Sequence, residues 1–483
     1  KLEQNYRSTQ NIVKAANSVI KNNRGQISKE VFSRNENGEP IQVVKAKDDR
    51  EEGFLVAGHI SDLRFRQQLD FSDFAILYRT NAQSRIFEES LRRMNIPYKV
   101  YGSLSFYQRK EIKDLLAYFR ITVNPRDDES LKRVINYPMR GIGKTTLDKL
   151  NGYAEKLDTH IWDVLIHLDQ VNLGFNKGTL ARLNGFTSMI QSFRKRLPEM
   201  EAFDLAYTIA GEAGIIRDLQ SEKTPENISR YENIEELLNG IKVFTDDPER
   251  EGEMNLGNYL QEVTLMTDMD QEKDEDRNRV TIMTIHASKG LEFKHLVIAG
   301  VEEELFPSPM SLDNPKDLEE ERRLFYVALT RAGKSALITY AALRYKWGIQ
   351  NACSPSRFIK EIDPKFLELP PDFYPTVPGM GVPGGLTRKK QAAQVQPGGR
   401  RLVNMDQAAR RPVQAPGNSQ VPRDFKPSDP GMIKVGTRVE HPRFGIGEVH
   451  QLEGTGSNIK ATVLFPIGTK QLLLKFAKLR VVD

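Results

Sequence analysis

Strand signals in this chain stop near residue 106 and return only at 280, and no other sequence feature narrows the fold as much. Before the gap, 41–46 and 74–79 read as strands, and 83–94 is amphipathic. Residues 9–22 set Ile12, Val13, Ala16, Val19 and Ile20 on one helical face. Beyond the gap, 280–285, 296–300 and 336–340 are short apolar runs, with a helix predicted over 318–331. The residues between carry helical patterns at 110–123, 180–197, 203–213 and 228–244 and almost no strand character. One α/β domain with a parallel sheet, made of 1–106 and 271–369 and interrupted by a helical domain at 107–270, accounts for this order most economically. The acidic stretch at 268–276 is spaced somewhat like a calcium loop. Its sixth position is Lys273 and its twelfth Arg279, where Gly and Glu are required, so it reads as a solvated connector.

From 370 to 431 the chain holds eleven Pro and eight Gly, and within 388–411 seven Lys or Arg face a single acid, Asp406. Such a segment is expected to be a flexible, disordered, basic linker. Residues 432–483 then place four short strands around tight turns, the pattern of a small SH3-like or Tudor-like β-barrel. Composition excludes several classes. With 39% hydrophobic and 28% charged residues, a chain of 483 residues buries substantial cores. It has no apolar run of about 18 residues to cross a membrane, and the lone Cys353 excludes a disulfide framework. A cytoplasmic chain with no membrane partner is expected. The opening residues KLEQNYRSTQ hold neither an apolar signal core nor an initiator Met, so a chain cut at its start and without a secretory leader is expected too. A net charge of +5 does not by itself identify a nucleic-acid partner.

Three segments concentrate chemistry-bearing residues. Gln4-Asn5-Tyr6-Arg7-Ser8-Thr9 runs into the first helix, where Ser8 or Thr9 is a natural N-cap and an arginine beside a helix N-terminus can meet an anion. A capped helix with a surface arginine is the plainer alternative. The run 280–293 (VTIMTIHASKGLEF) carries a buried strand into His286, Lys289, Gly290 and Glu292, and ligands gather at the carboxyl ends of parallel strands. A Lys-Gly turn beside a core histidine would look the same. In 319–332 (EEERRLFYVALTRA), Leu324, Val327, Ala328 and Arg331 share a helical face, so Arg331 needs an anionic partner. It is either an arginine finger for a phosphoryl transition state or the partner of one of the preceding Glu residues.

In order and spacing, QNYRST, TIHASKGLEF and EERRLFYVALTRA resemble motifs IV, V and VI of the superfamily 1A DNA helicases of the UvrD, Rep and PcrA type. The resemblance covers residues 1 to about 365 as a RecA-like second motor lobe (2A) with an inserted all-α 2B domain. The linker and terminal barrel look like the PcrA-type C-terminus. The resemblance implies that Tyr6 stacks on adenine, that Arg7 and Arg331 reach the γ-phosphate of ATP, and that Glu292 contacts the ribose. Lys289 and Gly290 would shape the coupling loop, with Thr284 and His286 between the nucleotide cleft and the DNA track. Arg79 and Asn81 would touch single-stranded DNA, and Trp347 would stack on a base. Taken by itself, Trp347 reads equally as a helix-end hydrophobe.

The Gly-Lys-Thr run Gly143-Lys144-Thr145 has Pro138 where a Walker A loop requires glycine, and no apolar run ends in a catalytic Asp-Glu pair. Gly141-Ile142-Gly143 with Lys144 therefore reads as a hairpin between helices that holds a duplex phosphate, as a GIG segment of the family's 2B domain does. The phosphate cradle and the Mg2+ ligands are expected in an N-terminal half absent from this sequence, with no metal site in this chain. The expected function is the C-terminal portion of an ATP-dependent 3′→5′ DNA helicase, inactive alone, acting in repair or replication on single-stranded and duplex DNA. One rival is a helicase–nuclease subunit, which would carry a nuclease after the third motif. The other is a non-catalytic nucleic-acid or RNA-polymerase-binding adaptor, which would not need Arg7 and Arg331. In the barrel, eight basic residues against four acids suit DNA or an acidic protein surface, and the PcrA-type terminus implies RNA polymerase.

Overall fold

Five consecutive buried residues, Phe74–Tyr78, form an interior strand of the main sheet, as expected where both faces of a sheet are covered. The computed structural model describes residues 3–25, 31–248, 252–268, 278–373, 433–441, 445–453, 460–465, 468–473 and 479–481. They fall into two units, residues 1–381 and 382–483.

The first unit begins with β1 (Gln4–Asn5), α1 (Gln10–Ile20), β2 (Phe32–Ser33), β3 (Ile41–Asp48), α2 (Asp49–Gln67), β4 (Phe74–Tyr78), α3 (Ser84–Arg93) and β5 (Tyr98–Val100). Helices follow: α4 (Lys110–Val123), α5 (Asp128–Val134), α6 (Lys144–Lys156), α7 (Ile161–Ile166), α8 (Lys177–Arg196), α9 (Ala202–Glu212), α10 (Ile215–Ser221), α11 (Pro225–Thr245) and α12 (Leu256–Asp268). The sheet then resumes with β6 (Val280–Thr284), β7 (Phe293–Ile298), α13 (Pro315–Leu329), β8 (Ala332–Lys346), β9 (Ile349–Ala352), α14 (Arg357–Lys360) and β10 (Leu367–Glu368).

The sheet order is β10-β3-β8-β7-β4-β6-β5, with β9 paired to β8. All pairings are parallel except β8–β9. One face is covered by α1 and α13 through Ile12, Ala16, Val19, Phe325 and Ala328. The other is covered by α2 and α3 through Val56, Ala57, Ile60, Phe87 and Leu91. Helices α4 to α12 enter between the adjacent strands β5 and β6 and build a core of their own around Phe119, Phe186, Phe193 and Leu237.

Strand β4 separates β6 from β7, yet only residues 285–292 join those two strands. Eight extended residues span at most about 26–29 Å, and a five-residue strand rises about 17 Å. The link makes the passage from the carboxyl end of β6 to the amino end of β7 even though residues 285–290 are coiled into turns. Both edges of the sheet are therefore held by one short crossover.

Helix α2 and strand β8 are the longest elements that depart from the sequence reading. Helix α2 was not expected; its readable signal is the start, where Asp48 Oδ1 accepts the Glu51 N–H at 2.9 Å and Asp49, Glu51 and Glu52 fill the first turn. Strand β8 runs 15 residues, well beyond the apolar run at 336–340.

The second unit is an antiparallel sheet of β11 (Arg438–His441), β12 (Gly445–Glu453), β13 (Lys460–Phe465), β14 (Gly468–Leu473) and β15 (Arg480–Val481), in the order β14-β13-β12-β11-β15. Its core holds Ile433, Val439, Val449, Ala461, Val463 and Leu479. Five strands are present where four were expected. The fifth has two residues, too short for a sequence pattern, and is fixed by pairing Arg480 with Glu440 across to β11. Residues 374–432, nearly all of the expected linker, and 269–277, most of the calcium-loop-like stretch, lie outside the described residues.

Candidate nucleotide and nucleic-acid sites

The three motif segments meet along the amino ends of β7 and β8. Phe293 N–H donates to the Arg331 carbonyl at 3.0 Å and Thr9 N–H to the Gly333 carbonyl at 3.1 Å, so backbone alone joins the starts of α1, β7 and β8. Arg7 and Arg331 project onto that seam. Arg7 Nε is ion-paired with Glu292, and its Nη1 donates to the Thr330 carbonyl at 3.2 Å. Arg331 donates to the Leu291 carbonyl at 3.1 Å, the Val327 carbonyl at 3.2 Å and the Thr330 hydroxyl at 3.3 Å.

The sequence left open an ion pair between Arg331 and a Glu of its own helix. Arg331 pairs with none of them. Those acids are otherwise engaged: Glu319 and Glu320 with Arg323, and Glu321 with Arg79. Burial, and then the neighbouring charge of Arg7, pull Arg331 below the usual arginine range, with Glu292 opposing. Glu292, whose side chain is 65% exposed, is thus ion-paired with Arg7 alone, while Arg331 has no ion pair among the described residues and feels that carboxylate only through its charge. An under-neutralised pair of this kind favours an incoming anion with several oxygens. Beside it, the Tyr6 ring is 76% exposed, with its hydroxyl donating to Gln4 Oε1 at 3.1 Å.

The expected N-cap is not formed. Thr9 occupies the cap position of α1 without a side-chain hydrogen bond, and the buried hydroxyls of Ser8 and Thr9 have no partner among the described residues. The first-turn donors are satisfied by backbone instead: Gln10 N–H by the Glu36 carbonyl and Asn11 N–H by the Asn37 carbonyl, both at 3.0 Å. Two of the amides that could meet an anion at this helix end are therefore already taken by its own chain.

The crossover carries the second motif. Thr284 Oγ1 accepts the Ala287 N–H at 3.3 Å and opens the turn. Lys289 is exposed, and Gly290 sits at φ +91°, where a side chain would be strained. The exposed His286 is held below its ordinary range by partial burial and by the charge of Arg79, with Glu321 opposing.

At the carboxyl end of β4, Gln83 Oε1 accepts the N–H groups of Arg79 and Thr80, each at 2.9 Å. Thr80 and Gln83 form a capping box that closes this turn. Arg79 is not a free cation: its guanidinium grips Glu321, with Nη2 2.7 Å from Oε1. Asn81 offers its carbonyl to Arg109 Nη1 at 2.8 Å, while its Oδ1 is buried with no partner among the described residues. Glu321 is the residue of this group that sequence reasoning missed.

Trp347 is not at a helix end. With Gly348 it forms the two-residue turn between β8 and β9, at φ +53° and +73°. Its ring packs 5.0 Å from that of Tyr231 and 6.1 Å, edge-on, from that of Tyr207. Asn239 clamps the same turn, donating to the Tyr345 carbonyl at 3.0 Å and accepting from the Gly348 N–H at 3.1 Å.

Gly141, Gly143 and Lys144 lie together in the α5–α6 connection, all exposed around buried Ile142. Asn136 Oδ1 shapes this turn by accepting the N–H groups of Arg140 at 3.0 Å and Ile142 at 2.9 Å. Gly143 caps α6. The element before the turn is a helix, not the strand a phosphate-binding loop requires. Among the described residues, no group of three or more His, Cys, Asp or Glu side chains is placed to hold a metal ion.

Comparison with known proteins agrees with this arrangement. Residues 1–342 match the model of the UvrD-like helicase C-terminal domain, and 435–480 that of the PcrA/UvrD tudor domain. The chain is 35% identical to an ATP-dependent DNA helicase PcrA of Leuconostoc citreum, over 100% of this chain and 63% of that protein. It is 36% identical to the protein of the same name from Staphylococcus aureus strain Mu50, over 99% of this chain and 61% of the relative. For Bacillus subtilis strain 168 the values are 35%, 99% and 61%. The chain thus spans between 61% and 63% of the length of these relatives.

Proposed function

The chain belongs to the UvrD-like helicase C-terminal domain family, and from that premise we propose that it supplies the second motor lobe and duplex-contacting insertion of an ATP-dependent 3′→5′ DNA helicase. The observation that carries this reading is the meeting of the Arg7 and Arg331 segments at one seam, where Arg7 pairs with the exposed Glu292 and bonds the Thr330 carbonyl while Arg331 has no ion pair among the described residues. A motor must sense the γ-phosphate, and two guanidiniums short of negative charge are suited to do so.

In this reading Tyr6 stacks on the adenine and Glu292 meets the ribose. Arg7 turns from Glu292 to the γ-phosphate, and Arg331 stabilises the charge that develops during transfer. Lys289 and Gly290 shape the crossover that ties this cleft to the opposite sheet edge. There Thr284, His286 and Asn81 face single-stranded DNA, and Arg79 organises that surface through Glu321. Gly141, Gly143 and Lys144 hold a duplex phosphate. The residues described do not fit Mg2+, so its ligands and the phosphate cradle are assigned to another part of the full-length enzyme. The terminal barrel is read as the dock for RNA polymerase, supported by the tudor-domain match. No helix among the described residues is long and apolar enough to cross a membrane, which is compatible with work on DNA in the cytoplasm.

The test is ATP turnover by the purified 483-residue chain with single-stranded DNA. The reading expects none above background from this chain alone and activity in the full-length enzyme. Turnover by the chain alone would overturn the division of labour.

A further inference from the structure

The sequence puts one arginine beside the Gly141-Ile142-Gly143 turn, and the structure takes it away. Arg140 points inward, donating to the carbonyls of Val134 at 3.2 Å, Pro138 at 3.1 Å and Ala213 at 2.9 Å. Its guanidinium also lies over the rings of Tyr118 and Phe186, at 5.7 and 5.6 Å. That charge is spent on holding the turn in shape.

A different guanidinium replaces it on the outside. Arg182, on α8, lies against the first glycine of the turn: a Cβ built on Gly141 would meet its Cζ and Nε at 3.3 Å. Gly141 is at φ +71°, so the turn needs glycine for its backbone and uses the bare Cα as a seat for the arginine. Four other arginines of the insertion meet carboxylates: Arg126 with Asp163, Arg133 with Asp114, Arg196 with Glu212, Arg230 with Glu226. Arg182 is exposed and has no carboxylate partner among the described residues. Nearby, Lys132 and Lys144 line a hollow against Ile142 with a single acid, Asp148.

We propose that Arg182 is a further phosphate contact of the duplex-binding surface, carried by α8 and seated on Gly141. The proposal rests on the reading of the Gly141–Lys144 turn as a duplex site and extends it to a helix outside that turn. A planar guanidinium fork matches the oxygens of a phosphate better than an ammonium does, and with Lys132 and Lys144 it makes several cationic points for a DNA backbone.

The experiment measures binding of a blunt hairpin duplex and of single-stranded DNA to the 483-residue chain over a range of salt concentrations. The variants are Arg182→Met, Arg182→Lys and Lys144→Ala. Arg182→Met should weaken duplex binding about three- to tenfold at low salt and flatten the salt slope by about 0.9, the value of one lost phosphate contact. Arg182→Lys should keep the slope, and single-strand binding and melting temperature should not change. If Lys144→Ala weakens duplex binding and Arg182→Met does not, the role of Arg182 is refuted while the duplex site stands. If neither variant has an effect, the duplex site itself is refuted and Arg182 with it. An equal loss of duplex and single-strand binding in Arg182→Met would also overturn the proposal.

Discussion

Arg79 and Glu321 are joined by a two-pronged ion pair, Nη2 to Oε1 at 2.7 Å and Nε to Oε2 at 3.0 Å, that ties the end of β4 to helix α13. Ten residues further along, about 15 Å at 1.5 Å per helical residue, the same segment delivers Arg331 to the opposite edge of the sheet. One short helix therefore touches both proposed ligand surfaces. Because Glu321 neutralises Arg79, Glu321→Gln should release a cation toward the DNA face. Single-strand affinity should rise and its salt slope steepen by about 0.7, while the loss of a charged hydrogen-bond partner costs about 2 kcal/mol of stability. Salt titrations and urea denaturation of the same variant check both signs.

Trp347 separates packing from DNA contact. Its ring is wedged against Tyr231 and Tyr207 of the helical insertion, so Trp347→Ala should lower stability by about 3 kcal/mol. Gly348→Ala should also destabilise, since a Cβ there would fall 2.1 Å from the Phe203 ring at a backbone φ of +73°. A Trp347→Ala variant with unchanged melting and weakened single-strand binding would return this residue to the DNA track.

A buried triad braces the sheet beside the insertion. Arg344 Nε lies 2.6 Å from Glu302 Oε2, and the same guanidinium pairs with Glu52; the two carboxylates are 0% and 1% exposed. Arg344→Met would strand two buried charges. A loss of about 3–5 kcal/mol in urea unfolding is expected, and a loss below 1 kcal/mol would mean the acids are neutral in the folded chain.

Glu88 gives a pH signature. It is 2% exposed and accepts the Phe106 N–H at 3.0 Å, and burial pushes its carboxyl up to about 7 from an ordinary 4.5. The folded chain therefore binds this proton more tightly than the unfolded one. The resulting stability is complete below pH 4.5 and is lost as pH rises through about 7. Measured against Glu88→Gln, wild-type unfolding free energy should fall by about 3 kcal/mol between those limits and stay level above them. A difference that does not vary with pH would refute the assignment.

The elements legible in the sequence were those with a one-sided apolar stripe. Helices α1, α4 and α13 were found near their true bounds because each lays such a face on a core. Helix α2 was missed because Phe54 and Phe65 stay exposed while Val56, Ala57 and Ile60 are buried, which blurs any single stripe. Strand β8 was cut short because Lys334, Arg344 and Lys346 lie near its ends, where they reach solvent or the acids of the triad. The three motif segments were visible as sequence, but the partners within them were not. Arg79 meets Glu321 and Arg7 meets Glu292 across more than two hundred residues, and only the strand order brings them together. The engagement of the first amides of α1 was invisible too, since they donate to the carbonyls of Glu36 and Asn37 in the loop before β3.

Joint action of Arg7 and Arg331 on the γ-phosphate is the proposed basis of ATP sensing. It is tested most directly by steady-state ATP turnover of Arg331→Ala and Arg7→Ala in the full-length enzyme at saturating single-stranded DNA, with DNA affinity measured alongside. The account predicts a fall in turnover of roughly 10³-fold or more for Arg331→Ala and a comparable fall for Arg7→Ala, each with DNA affinity nearly intact. Near-normal turnover in both variants would contradict it.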